Sequence, residues 1–318
     1  MIKSPLLHGT AVLVVLFGIS SAAAVTAAAE LVGVDIDWPS LPVAVNTSAV
    51  SLTAAGAWLL VRAPLSPPGR AAWCAAALTI AGLVLLPHRG EAAGTAAMLL
   101  LTGAGAWLCA QVAADHGVPL WQGRPPRQIV RRRDKKSLTA CVVVLAGHTA
   151  AATAEFWLEK LGPAVADQTE QASVLGLHDP VMIAAQALAA GVREEFPLLA
   201  LPAVLMAAAR RPVWQVLLVV CVLHILPHAY LGSPALGSAV FAATALWMYR
   251  VTHQIGPIII GHTLFNALVL FGGLAGRLGL MVSMGAAWLL LPAVLDDASP
   301  RWLRRMFPDK FAVSGSST

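Results

Sequence analysis

Charge is what this sequence has least of. Only 12% of its residues are Asp, Glu, Lys or Arg, against about 25% in an ordinary soluble domain, and that shortage excludes a large water-soluble core. Cysteine is scarce too. Cys74, Cys109, Cys141 and Cys221 all lie inside apolar segments with no CxxC spacing, so neither a disulfide framework nor a cysteine metal site is indicated, and the four read as small residues for helix packing. The alternating strands of an outer-membrane barrel are missing, and no convincing internal repeat is present.

What fills the chain instead is hydrophobic: 58% of the 318 residues, with a mean hydropathy of +0.74. Long Ala- and Leu-rich runs predict an all-α, polytopic transmembrane helix bundle. Windows of about 20 apolar residues predict about ten spans, at 8–33, 42–62, 71–87, 92–114, 138–158, 180–209, 213–231, 234–250, 254–272 and 278–295. Lys3, the apolar stretch from Leu6 to Ser20 and the Ala-rich SSAAAVTAAAE have the outline of a signal peptide. The apolar run continues to Val34, longer than a signal core, so an uncleaved first helix is expected.

The basic residues orient these spans. With a cytoplasmic N-terminus, only Arg89, Lys160 and Arg277 of the 21 Lys and Arg residues fall in outer segments, and Arg193 lies within a span. Both termini are therefore expected in the cytoplasm, and the chain is expected to be integral to the cell (plasma) membrane. The loop RPPRQIVRRRDKK separates an N-terminal four-helix region, 1–137, from a C-terminal region, 138–296, with a cytoplasmic tail at 297–318. That loop reads as a topology anchor beside anionic headgroups in preference to a nucleic-acid patch, so the lipid bilayer is an expected partner and nucleic acid is not. The acidic outer loop from Glu155 to Glu170 reads as solvated, and the net charge of +5 follows from topology.

Against this oily background, three polar groups stand out. Glu194 and Glu195 sit in AAGVREEFPLLALP, His224 and His228 in VCVLHILPHAYLG, and His262 and Asn266 in IIIGHTLFNAL. An unpaired charge at mid-bilayer costs roughly 2.5–3.5 kcal/mol, so such groups in three separate segments are expected to meet in a shared polar pocket. Adjacent glutamates point about 100° apart on a helix, so one can aim at a reaction centre while the other orients a neighbour or meets Arg193. Pro197 and Pro202 lack amide hydrogens and are expected to bend the helix just past the pair. His224 and His228 share a helix face, with Pro227 distorting the turn between them; His224 also reads as a plain core histidine. His262 and Asn266, again four apart, can present two donors to one point, as a developing oxyanion requires. The alternative for them is interhelical hydrogen bonding as packing glue.

In this order the three groups resemble the CPBP family of intramembrane endopeptidases, which contains the CAAX prenyl endoproteases and the bacterial bacteriocin-processing and immunity (Abi) proteins. The family shows E-E-x-x-x-R, then F-x-x-x-H, then H-x-x-x-N/D; here they read EEFPLL at 194–199, HILPH at 224–228 and HTLFN at 262–266. The likeness covers about residues 180–272, under a third of the chain. Leu199 stands where the family has Arg, and His224 where it has Phe. The family Arg helps hold the glutamate pair, and Arg193 is a candidate substitute.

The resemblance implies a CPBP-like catalytic helical core and a glutamate-type hydrolase. Glu194, with His228, would draw a proton from a water that attacks the scissile carbonyl. His262 and Asn266 would stabilise the oxyanion, and Glu195 would tune or position the set. The implied substrate is a peptide or a membrane protein; peptide pheromones, bacteriocin precursors and membrane-protein fragments all fit. No cofactor is required by this scheme. A zinc version is the second expectation, because the family has often been labelled metalloprotease and His224, His228, His262 and a Glu supply enough ligands. The topology puts Glu194 and His262 near mid-membrane and His228 toward the outer side, whereas the resemblance implies cytoplasmic access.

Other chemistries fit less well. A serine enzyme would have to use Ser238 in ALGSAVF with His262 and lacks the G-x-S spacing. A site-2-type metalloprotease needs an H-E-x-x-H that is missing. An aspartyl type needs paired membrane aspartates, whereas Asp35, Asp37, Asp296 and Asp297 sit at span ends. Two further classes remain as alternatives: a catalytically silent scaffold or bacteriocin-immunity protein that keeps the fold, and a transporter relaying protons through its Glu and His residues.

Overall fold

The computed structural model of the protein describes residues 4–31, 33–34, 51, 54–58, 90–118, 120, 130–161, 178–271 and 273–298. The expected span at 71–87 and the tail beyond 298 lie outside the described residues. So do most of the 42–62 span and residues 121–129 of the basic loop; the rest of that expected loop, from Val130 on, is the first part of the helix Val130–Leu161.

All regular structure among the described residues is helical. The helices are α1 (Pro5–Leu31), α2 (Gly90–Asp115), α3 (Val130–Leu161), α4 (Pro180–Glu194), α5 (Leu201–Ala208), α6 (Val213–Ile225), α7 (Ser238–Thr252), α8 (Gly256–Phe271) and α9 (Gly273–Ala298). Among the described residues, three stretches are long and apolar enough to cross a membrane: Gly94–Asp115, Ser137–Leu161 and Val213–Leu231. Membrane character shows in the side chains as well. Trp214, Leu218 and Val222 of α6, Ile260, Leu264 and Phe271 of α8, and Trp288 and Leu289 of α9 are all exposed. Hydroxyls within the helices fold back onto the carbonyl four residues earlier, as in Thr102 to Met98, Thr149 to Leu145 and Thr244 to Val240, which satisfies them without water.

The expected span at 180–209 is not one regular helix with a kink. Asp179 caps its start, its carboxylate accepting from the amides of Val181 and Met182, and Pro180 occupies the first turn, where no amide partner is lost. From Glu195 to Ala200 the chain widens into a π-helical turn before α5, and the Leu201 amide reaches back five residues to the Phe196 carbonyl. Pro197 cannot donate to the Arg193 carbonyl, and the wide turn absorbs that missing bond where an α-helix would bend. The next expected span departs from regularity for the same reason. After α6, Pro227 lies in a tighter 3-10 turn over Leu226–Leu231, and a second such turn, Ser233–Gly237, leads into α7.

Helix α3 is the central member and packs against α7, α8 and α9. Helix α4 lies between α2 and α8, while α1 rests on the turn at 226–231. Contacts between helices join like ends. At one end His8 Nδ1 meets His116 Nε2 at 3.1 Å, Ser137 donates to Gln254 at 2.6 Å, and the Tyr249 hydroxyl donates to the Leu120 carbonyl at 3.2 Å. At the other, Ser233 donates to the Leu158 carbonyl at 3.1 Å, Gln186 to Thr95 at 3.1 Å, and Ala24 packs with Tyr230 and Leu231.

Two glycines permit the close approaches that bring the polar segments together. A Cβ on Gly191 of α4 would lie 2.7 Å from Thr263 Oγ1 and 2.9 Å from the Ile259 carbonyl of α8. One on Gly261 of α8 would lie 2.8 Å from the Cys141 carbonyl of α3 and 3.0 Å from Val144. Gly261→Ala should therefore force α8 off α3 and destabilise the protein by about 1–3 kcal/mol, the usual cost of overpacking. Unfolding of the purified protein by denaturing detergent would show this as an earlier midpoint; an unchanged midpoint would contradict the contact.

Candidate functional site

The centre of the site is a bond between two of the polar segments. The π-turn holds Glu195 fully buried, and Oε1 of its carboxylate lies 2.8 Å from Nδ1 of His262 on α8, which is itself buried. A carboxylate oxygen accepts, so the Nδ1–H of His262 donates, and this fixes which ring nitrogen is left facing the rest of the chamber, Nε2. Glu194, one residue earlier and also buried, points to a different partner: its Oε1 receives Arg193 Nη2 at 3.0 Å. The two glutamates thus divide the work, one held by an arginine and one holding a histidine. Leu199, four residues after Glu195, is completely buried in the apolar core and brings no charge.

Helix α6 and the 3-10 turn that follows it supply the next two imidazoles. His224 is buried and its Nδ1 lies 2.8 Å from the Val220 carbonyl; His228 is half-buried and its Nδ1 lies 2.8 Å from the His224 carbonyl. A carbonyl only accepts, so both Nδ1 atoms carry the hydrogen and both rings are left with Nε2 for other work. The change to 3-10 pairing at 226–231 moves backbone donors one residue closer, which leaves the His224 carbonyl for the His228 ring. Glu194 lies within electrostatic reach of Arg193, His228 and His262, and His224 within reach of both glutamates.

Asn266 lies one turn beyond His262 on α8, and its amide Nδ2 donates to the Ala187 carbonyl of α4 at 2.7 Å. Beside it Thr263 donates to the Leu188 carbonyl at 3.3 Å. The donors of His262 and Asn266 therefore serve different acceptors here, and Asn266 also ties α8 to α4. The second hydrogen of the same amide remains for another acceptor. Ser238 is buried, and its hydroxyl donates 2.7 Å to the Ala235 carbonyl three residues back in its own turn. That local bond commits the hydroxyl hydrogen to the serine's own turn.

A fourth imidazole belongs to the cluster and was not singled out from sequence. His148 of α3 stacks between Phe241 of α7 and Phe265 of α8, with ring centroids 3.5 Å and 4.7 Å away. Its ring lies 4.2 Å from that of His262. Phe241 also packs edge-on against His224 and His262. The signal in the sequence was a histidine inside an apolar run, LAGHTAA, which the cost of intramembrane polar groups marks for attention. It carried no recognisable spacing to another polar residue.

Among the described residues, the buried side-chain polar atoms without a hydrogen-bond partner are His148 Nε2, Glu195 Oε2 and His224 Nε2. All three belong to this cluster, although they come from α3, the π-turn and α6. Each such atom costs about 1–3 kcal/mol, and their confinement to one place marks it as the part of the bundle that gives up stability for polar capacity. Among the described residues, no group of three or more His, Cys, Asp or Glu side chains is arranged so as to hold a metal ion. No family model, curated protein or solved structure matches the chain.

Glu195→Ala should strand His262 inside the bundle and cost about 3–5 kcal/mol, the penalty for removing one partner of a buried pair. Glu195→Gln, which keeps the shape and an acceptor oxygen, should lose less than half as much. Detergent-denaturation midpoints of the two variants would check the order, and equal midpoints would contradict the bond.

Proposed function

We propose that this chain is a polytopic membrane protein of about ten spans, with both termini cytoplasmic, and that its core is an intramembrane endopeptidase similar to the CPBP family. The observation that carries the proposal is the buried Glu195–His262 bond. It joins residues 67 positions apart, from two of the three polar segments, at the centre of an apolar bundle. The topology is supported by the pairing of helix ends. Residues 8, 116, 120, 137, 249 and 254, which lie at the cytoplasmic ends of their expected spans, meet one another, as do residues 24, 95, 158, 186, 230 and 233 at the outer ends.

In this reading a water between Glu194 and the substrate carbonyl loses its proton to the carboxylate, with His228 Nε2 as the neighbouring base, and attacks the carbonyl carbon. The tetrahedral oxyanion is met by Nε2–H of His262, which carries a hydrogen there when the ring is protonated as the cationic partner of Glu195, and by the second amide hydrogen of Asn266. Collapse breaks the C–N bond, and the proton held at Glu194 passes to the departing amine. Glu195 holds His262 in place, and Arg193 holds Glu194 in the absence of the family arginine. The substrate is a peptide or a membrane-protein segment that reaches the site from the bilayer; no nucleic acid takes part.

A second reading is favoured by one observation. Leu199, buried and apolar, replaces the family arginine, and a catalytically silent scaffold or bacteriocin-immunity protein of the same fold would tolerate that loss.

The test is cleavage of a peptide library by the purified protein in detergent. Glu194→Ala, His228→Ala and His262→Ala should each lower turnover by about 100-fold or more, the usual contribution of a general base or an oxyanion donor. Asn266→Ala should lower it less, and Ser238→Ala should leave it near the parent rate. Unimpaired turnover in the first three would remove the glutamate mechanism. Metal analysis of the active protein should find no stoichiometric zinc and chelators should leave the rate unchanged; a zinc atom per chain with chelator-sensitive turnover would establish the metal version instead.

A further inference from the structure

His148 has no part in the scheme just described, yet its surroundings are built. Its ring is the middle layer of a stack, Phe241 on one side and Phe265 on the other, supplied by two different helices. Gly147, the residue before it, lies so close to α7 that a Cβ there would be 2.7 Å from Thr244 Cγ2, so the backbone that carries His148 is pressed against its neighbour. The stack fixes the plane of the imidazole, and the His262 ring packs beside it, tilted by 53° with ring centroids 4.2 Å apart. A third phenyl ring would fill the same slot with less cost, because a buried ring nitrogen without a partner is unfavourable. His148 nevertheless keeps its Nε2 buried and unpartnered.

We infer that His148 is a positioning residue for His262. On the hydrolase reading, Glu195 fixes one edge of the His262 ring through Nδ1, and the tilted ring of His148 packs against it from α3. Between them the two contacts set the direction in which Nε2 meets the substrate carbonyl. The nitrogen of His148 provides a polar neighbour beside His262 that the two phenyl rings cannot. This deepens the role assigned to His262 and depends on that role for its catalytic consequence, while the contact itself does not depend on it.

The experiment compares His148→Phe, which keeps the stack and removes both nitrogens, with His148→Gln, whose amide reaches a similar position. Peptide turnover is measured across pH, together with magnetic resonance of the His262 ring nitrogens in protein carrying isotope-labelled histidine. His148→Phe should lower kcat by about 10–100-fold, the scale expected when a reacting group is slightly misplaced, with KM held within about twofold. The pH profile of kcat should move, the His262 signals should shift, and His148→Gln should regain part of the loss. Unchanged kcat together with unchanged His262 signals in the Phe variant would overturn the inference. If the parent protein cleaves nothing and Glu194→Ala changes nothing, the hydrolase reading is lost. The His262 signals then decide alone: a shift in His148→Phe sustains the positioning contact and no shift overturns it. If the Phe variant does not fold, the Gln variant is judged by the same two measurements.

Discussion

A carboxylate and an imidazole in a lipid-embedded bundle must find each other, and the bond between Glu195 and His262 is where this protein satisfies that demand. Neither group has a polar surface to retreat to, since Glu195 is fully buried and His262 nearly so. Their separation is 2.8 Å, short enough for a charge-assisted hydrogen bond. Once that bond is made, much of the surrounding arrangement follows. The π-turn must face α8, α8 must lie against α4, and His262 must present its other nitrogen to the space shared with His224, His228 and His148.

The scaffold meets these demands with small residues and local hydrogen bonds. Gly191 and Gly261 let α8 approach α4 on one side and α3 on the other, the way close helix contacts are made where lipid removes the usual hydrophobic drive. Thr263 and Asn266 then bond to carbonyls of α4. Elsewhere threonine hydroxyls close onto their own helices. Polarity is therefore cancelled locally along the helices and left uncancelled in the cluster around Glu195, where the unpartnered oxygen and nitrogen atoms gather.

Much of this was legible in the sequence, and the reason is the cost of charge in an oily chain. Glu194, Glu195, His224, His228 and His262 drew attention because an apolar helix has no ordinary use for them, and the structure brings them into mutual electrostatic reach. The helical class and the spans at 92–114, 138–158 and 213–231 were legible for the same reason, since apolar runs of that length leave few alternatives. The local geometry was less so. Proline in a helix announces a missing hydrogen bond, but whether the chain bends, widens into a π-turn as at Glu195–Ala200, or tightens into a 3-10 turn as at Leu226–Leu231 depends on what packs around it. Nor does spacing along one helix say what the donors will meet: His262 and Asn266 share a face but serve different acceptors. His148 was missed because its partners, Phe241, Phe265 and His262, lie on other helices and leave no periodic trace in its own segment.

The π-turn after Glu194 carries a consequence for how this segment can change over time. A widened turn holds one residue more than the α-helix it interrupts, so α4 and α5 keep their relation to one another and the extra residue is taken up between them. Losing a single residue there would restore regular pairing with both helices in place, and the whole change would fall on the side chains from Glu195 to Ala200. Between those two residues chemistry is set by the count of residues as much as by their identity.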